Sequence, residues 1–166
     1  MANDLPRSLG VSHVGLAADD PAVLAEFYRD VLGMEDVGSS TADSPFGASA
    51  FLSSRPADES HEIVFFGNAA LAHTAIRTAT LEDLRTFYRR VVDRGIEILS
   101  ALNHGVSLAF YFRDPEGHML EIYWATGLAF GQPYGHPIDL ELPAADLYAN
   151  IAALAERESL DWSPPA

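Results

Sequence analysis

Glu121 stands in the middle of an apolar, strand-like run from Met119 to Trp124. A carboxylate in such a setting is costly to bury unless a cation or a metal satisfies it. Shifting the chain by 60 residues onto itself offers partners. It places His13 on His73, each in a short strand-like run, SHVGLA and AHTAIRT, just before a helical segment. It also places His61, in HEIVFF, on Glu121, in EIYWAT. Four residues able to bind metal or move protons thus fall at two equivalent pairs of positions.

His13, His73 and Glu121 are the candidate metal ligands. Two imidazoles and one carboxylate on one face of a metal, with adjacent positions open, is the donor set of non-haem Fe(II) oxygenases. There is no local motif such as HExxH, so the three must converge through the fold. The plainer alternative is two strand-interior histidines satisfied by their neighbours and a glutamate paired with an arginine; the repeat-matched positions favour the metal. His61 breaks the symmetry. A glutamate there would complete a closed set of two His and two Glu suited to Lewis-acid isomerisation. As histidine it is either a fourth ligand or an acid–base group standing over the metal, because its reference pKa is nearest neutrality. Glu62 should point to the opposite face of the strand and be solvent-facing or structural. His104 and Tyr111 flank a strand; they could hydrogen-bond a metal-bound substrate and take its proton, or be a loop residue and a half-buried strand aromatic. His118 and His136 read as turn residues.

The same shift aligns Leu24, Phe27, Tyr28, Arg29 and Val31 with Leu84, Phe87, Tyr88, Arg89 and Val91. In both blocks the apolar residues recur at helical spacing. Asp20 before Pro21, and Thr80 before Glu82 and Asp83, are helix-start chemistry, while Gly33 and Gly95 sit where each helix would stop. The chain therefore predicts a strand over 10–18, a helix over 20–33 and strands near 35–40, 48–54 and 61–66. The second half predicts a strand over 71–78, a helix over 81–94 and strands near 96–101, 106–113 and 119–124. Asp114-Pro115-Glu116-Gly117 is turn chemistry between the last two. A Gly/Pro-rich loop follows, then a helix from about Ala144 to Glu158 and a frayed end, DWSPPA. The fold class expected is α+β: two tandem βαβββ units forming a cup-shaped mixed sheet with the metal site inside. A single domain is expected over 1–166, with units at about 9–67 and 69–126 and an extension over 127–166.

Composition narrows the partners. A net charge of −14, from 24 acidic and 10 basic residues, repels phosphate backbones and anionic membranes, so neither nucleic acid nor membrane is expected as a partner. The chain holds no cysteine, which rules out disulfides and thiolate ligation and leaves His and carboxylate for any metal. MANDLPRSLG lacks a basic stretch followed by an apolar core, which fits a cytoplasmic enzyme. GxGxxG, GxxxxGK[ST] and GxSxG are absent, leaving nucleotide cofactors and the simplest serine hydrolase unsupported.

SHVGL, HEIVF, AHTAI, HGVSLAFYFRDPEG and MLEIYW, in that order, resemble motifs of the vicinal oxygen chelate superfamily (glyoxalase, bleomycin-resistance and extradiol dioxygenase proteins). Within it the chain resembles compact single-domain type I extradiol catechol dioxygenases over about residues 9–125. The resemblance implies Fe(II), or alternatively Mn(II), on His13, His73 and Glu121, with O2 as co-substrate and a small aromatic diol chelating the metal. His61 would be the distal acid–base group, and Tyr111 and His104 would hydrogen-bond one substrate oxygen. Thr74, Ile76 and His118 depart from the family's usual residues and bear on pocket shape. A second, inactive copy found in two-domain members is not seen, so enclosure would come from the tail or a partner subunit, and a homodimer or larger oligomer is expected. The competing readings are a glyoxalase-like lyase, isomerase or thiol transferase with four protein ligands, and a metal-free resistance protein that sequesters a small molecule.

Overall fold

The computed structural model describes residues 6–165. The order of elements is βαβββ twice over. The first set is β1 (Ser8–Ala17), α1 (Pro21–Leu32), β2 (Glu35–Ser40), β3 (Ser49–Ser53) and β4 (Ile63–Phe66). The second is β5 (His73–Thr78), α2 (Leu81–Val92), β6 (Ile98–Asn103), β7 (Ser107–Arg113) and β8 (Met119–Ala125). A two-residue strand, β9 (His136–Pro137), and α3 (Ala144–Arg157) complete an α+β protein. Strand order repeats as well: β2-β3-β4-β1 in the first set and β6-β7-β8-β5 in the second. None of the described helices is long and apolar enough to cross a membrane.

The helices begin where the chain codes for it. Asp20 accepts from the Ala22 and Val23 amides at 3.0 and 3.2 Å, with Pro21 in the first turn, and Gly33 ends α1 in the left-handed region. Thr80 accepts from the Asp83 amide at 3.1 Å to start α2.

Two compact units form. One comprises Val11–Ala75 and Gly131–Tyr134; of the described residues the other holds 6–10, Ile76–Phe130 and 135–165. The boundary does not follow the repeat. It falls inside β5, so His73 belongs with the first unit although it opens the second repeat.

In the first unit β3 is buried along its whole length because both of its faces are covered. Ala50, Leu52 and Phe65 pack with Ala25 and Met34, and Leu24 and Tyr28 of α1 lean on them. The Tyr28 and Phe65 rings meet edge-on at 4.9 Å. Full burial of a side chain such as Phe65 contributes roughly 1.5–3 kcal/mol. Strand alternation turns Phe51, Val64 and Phe66 the other way, into a second cluster backed by Val37 and Leu71. That second face carries the histidines.

In the second unit Leu81, Leu84 and Val91 of α2 are buried, and Tyr88 meets Phe110 of β7 edge-on at 5.3 Å. Leu147, Ile151 and Leu154 form the buried stripe of α3. Trp162, in the stretch expected to be frayed, makes defined contacts. The half-buried Trp162 donates its indole N–H to the Thr126 carbonyl at 2.8 Å and lies beside Tyr148. His136, expected in a turn, instead pairs with Asn103 as part of β9.

Candidate metal centre

In the first unit β1 and β5 each present a histidine. His13 is buried, and its Nε2 lies 3.2 Å from Nε2 of His73. A single 3-10 turn, Ala69–Leu71, delivers the chain into β5. The Leu71 carbonyl that closes this turn accepts from Nδ1–H of His73 at 2.7 Å. A carbonyl can only accept, so Nδ1 carries a proton, and in the neutral tautomer the Nε2 lone pair is left on the side of His13. Such a backbone partner on the far nitrogen is how metal-binding imidazoles are oriented. Two nitrogens each about 2.1 Å from one ion and at right angles to each other would be about 3.0 Å apart. The separation found fits two neighbouring ligands of a single metal.

Room for the His73 ring comes from Gly15, which lies two residues beyond His13 on the same strand face. A Cβ there would fall 2.9 Å from Nδ1 of His73 and 2.9 Å from the Phe66 ring. This requirement for glycine was missed from the sequence, where the HxG alternation of SHVGLA was the available signal.

His61 joins the pair. Its ring is 4.3 Å from that of His13, tilted by 50°, and its Nδ1 is 3.1 Å from the Ser60 hydroxyl. The Phe51 ring meets it edge-on at 5.1 Å. The expectation that His61 lies within a strand is corrected: β4 begins at Ile63, and the backbone bends at Glu62. Glu62 is structural. It accepts from the Ser54 amide at 2.7 Å, from the Ser54 hydroxyl and from Arg55 Nε at 2.8 Å. The Ser54 hydroxyl above all, and then Arg55, hold its carboxyl below the ordinary range against the opposing cost of burial.

In the second unit Glu121 is buried and sits directly across the β7–β8 ladder from Tyr111. The Tyr111 phenol donates to the Glu121 carboxylate, and Nε2 of His104 lies 2.9 Å from the phenol oxygen. With the phenol proton committed to the carboxylate, His104 supplies the N–H of its contact. Burial, then the charge of Glu121, then that hydrogen bond push Tyr111 well above the ordinary tyrosine value. His104, Tyr111 and Glu121 therefore form one imidazole–phenol–carboxylate chain. His118 stays in its turn, 2.9 Å from Asp114, as expected.

Comparison with known proteins shows the family of the chain. Residues 10–122 match the Glyoxalase/Bleomycin resistance protein/Dioxygenase superfamily. The chain belongs to that superfamily. It is 32% identical over 124 residues to biphenyl-2,3-diol 1,2-dioxygenase 3 of Rhodococcus globerulus, covering 68% of this chain and 61% of that relative's length. It is 28% identical over 149 residues to the metallothiol transferase FosB of Shouchella clausii (strain KSM-K16), covering 86% of this chain and 94% of that protein. A crystal structure of catechol 2,3-dioxygenase shares the fold at a TM-score of 0.61 and 23% identity, over 81% of this chain and 48% of that one.

Proposed function

We propose that this protein is an Fe(II)-dependent extradiol, ring-cleaving dioxygenase acting on a catechol-type aromatic with O2. The observation that carries the reading is the meeting of three imidazoles in the first unit. His13 and His73 are spaced as neighbouring ligands, and His61, a histidine where its repeat counterpart Glu121 is a carboxylate, stands against them. In this reading the two units make one domain and Glu121 is the third ligand. Iron, or alternatively manganese, would supply the site that binds the diol and O2 and lowers the pKa of the diol hydroxyls.

Every other role belongs to side chains. The Leu71 carbonyl keeps His73 in the tautomer that leaves Nε2 available. Phe51, Val64 and Phe66 line the face with apolar surface, which excludes water and strengthens each polar contact made there. His61 Nε2 takes a substrate proton and returns it as the ring opens, with Nδ1 steadied at Ser60. His104 and Tyr111 stand together as a pair that would exchange their mutual hydrogen bond for one to a substrate oxygen.

The test is direct. Protein prepared anaerobically with Fe(II) is offered biphenyl-2,3-diol, catechol, homoprotocatechuate and L-DOPA, while oxygen uptake and near-visible absorbance are followed. The yellow ring-opened product is the expected result; no oxygen uptake with any of the four would refute the reading.

A second reading is a metal-dependent thiol transferase, favoured by the match along 94% of the FosB relative. The His104–Tyr111 pair, and a histidine at position 61 where a second glutamate would complete a four-ligand set for that chemistry, weigh against it. Consumption of a low-molecular-weight thiol with an electrophilic co-substrate, without oxygen uptake, would establish it instead. A cytoplasmic location and assembly into a dimer or larger oligomer belong to the leading proposal. Val23, Phe27 and Val31, exposed at four-residue spacing along α1, are the residues to change when measuring mass in solution.

A further inference from the structure

His61 is not where regular pairing would put it. β1 and β4 run parallel with Val14 opposite Ile63. Extending that register back by two residues sets His61 opposite Ser12 and on the face of Ser12, turned away from His13. The His61 ring instead lies 4.3 Å from that of His13. The segment before β4 must therefore be held off the regular strand path.

Glu59 holds it. This carboxylate is only 5% exposed, in a loop otherwise rich in exposed polar residues. The Ser12 hydroxyl of β1 donates to Glu59 Oε2 at 2.8 Å. The Ser53 hydroxyl of β3 donates to the Glu59 carbonyl at 3.0 Å. The Glu59 amide donates to the Arg55 carbonyl at 3.0 Å, and the Glu62 amide to Leu52 at 2.8 Å. β3 and β1 are the two neighbours of β4 in the sheet. One residue thus ties both flanking strands across the mouth of β4, two positions before His61.

We propose that Glu59, through its bonds to Ser12 and Ser53, is a positioning residue that sets His61 against the His13–His73 pair. The inference rests on the reading of His61 as the acid–base group, and it makes the loop before β4 part of the reaction machinery. Glu59 touches neither substrate nor metal; it acts through the backbone of Ser60 and His61.

The test compares Glu59→Ala, Ser12→Ala and Glu59→Gln, the last keeping an oxygen that Ser12 can reach. Displacing a reacting group by about 1 Å costs up to roughly a hundredfold. Glu59→Ala and Ser12→Ala should therefore lower kcat for catechol cleavage by about ten- to a hundredfold, with KM and iron content unchanged. Glu59→Gln should recover most of the rate. Added to His61→Gln, neither alanine change should cost anything more, since the group being positioned is already gone. Multiplying losses in that background would overturn the proposal. A second readout needs no turnover: the NOE between His61 and Phe51 ring protons, in metal-free or zinc-loaded protein. It should be present in the wild type and lost in both alanine variants. Its persistence in them would overturn the proposal, even if the catechol assay had failed and taken the dioxygenase reading with it. If Glu59→Ala does not fold, Ser12→Ala decides by the same two measurements.

Discussion

A side chain at Gly15 and the ring of His73 would compete for one space, since a Cβ built at Gly15 comes within 2.9 Å of His73 Nδ1. That nitrogen is the one anchored to the Leu71 carbonyl at 2.7 Å. Gly15→Ala should push the ring off its anchor while leaving the backbone unstrained. Loss of a partner that orients a metal-binding histidine typically costs about 10–100-fold in metal affinity. Titration of the variant with Fe(II) or Zn(II) should show a loss of that size, and wild-type affinity would mean that the His73 ring has another seat.

Adding the metal should stabilise the protein, because ligands that bind only the folded state raise its apparent stability. At about one hundred times Kd the gain is about 2.7 kcal/mol, or roughly 5–10 °C in Tm for a chain of this size. His13→Ala and His73→Ala should abolish the shift, and Glu121→Gln should reduce it. A full shift in Glu121→Gln would remove Glu121 from the proposed ligand set.

His61→Gln separates a ligand from an acid–base group. It should keep the metal-dependent rise in Tm and lose about 10²–10⁴-fold in turnover. If iron content falls with activity, His61 is a ligand and the acid–base assignment is wrong.

The pH dependence of stability should carry a signature of Glu62. The Ser54 hydroxyl, and then Arg55, lower its folded-state pKa below that of the unfolded chain. A lowered carboxylate pKa means stability that is fully present above the ordinary value of about 4.3 and is lost as pH falls through the folded value. Wild-type Tm should therefore drop between about pH 5 and pH 3 more steeply than that of Glu62→Gln. Parallel curves would mean that the Ser54 and Arg55 contacts do not persist in solution.

Much of the architecture could be read along the chain, because its signals are local and periodic. Apolar residues at helical spacing, Asp20 with Pro21, Thr80, and a 60-residue echo between the halves account for α1, α2 and the doubled βαβββ order. The same echo picked out His13 and His73, since equivalent strands of a repeat present equivalent positions. The structure sets those two imidazoles 3.2 Å apart and links His104 to Tyr111 at 2.9 Å.

Other features depend on contacts between residues far apart in the chain, which no local pattern encodes. Asp58, Glu59 and Glu62 lie within five residues of one another in one polar stretch. Only folding buries Glu59 beside Ser12, leaves Asp58 outside and pairs Glu62 with Arg55. The bend that lifts His61 out of strand register follows from those ties, as does the need for glycine at position 15 from the path of a ring 58 residues away. Sequence periodicity settled which residue types share a strand face; the long-range hydrogen bonds and close packing of the folded chain settled which of them meet.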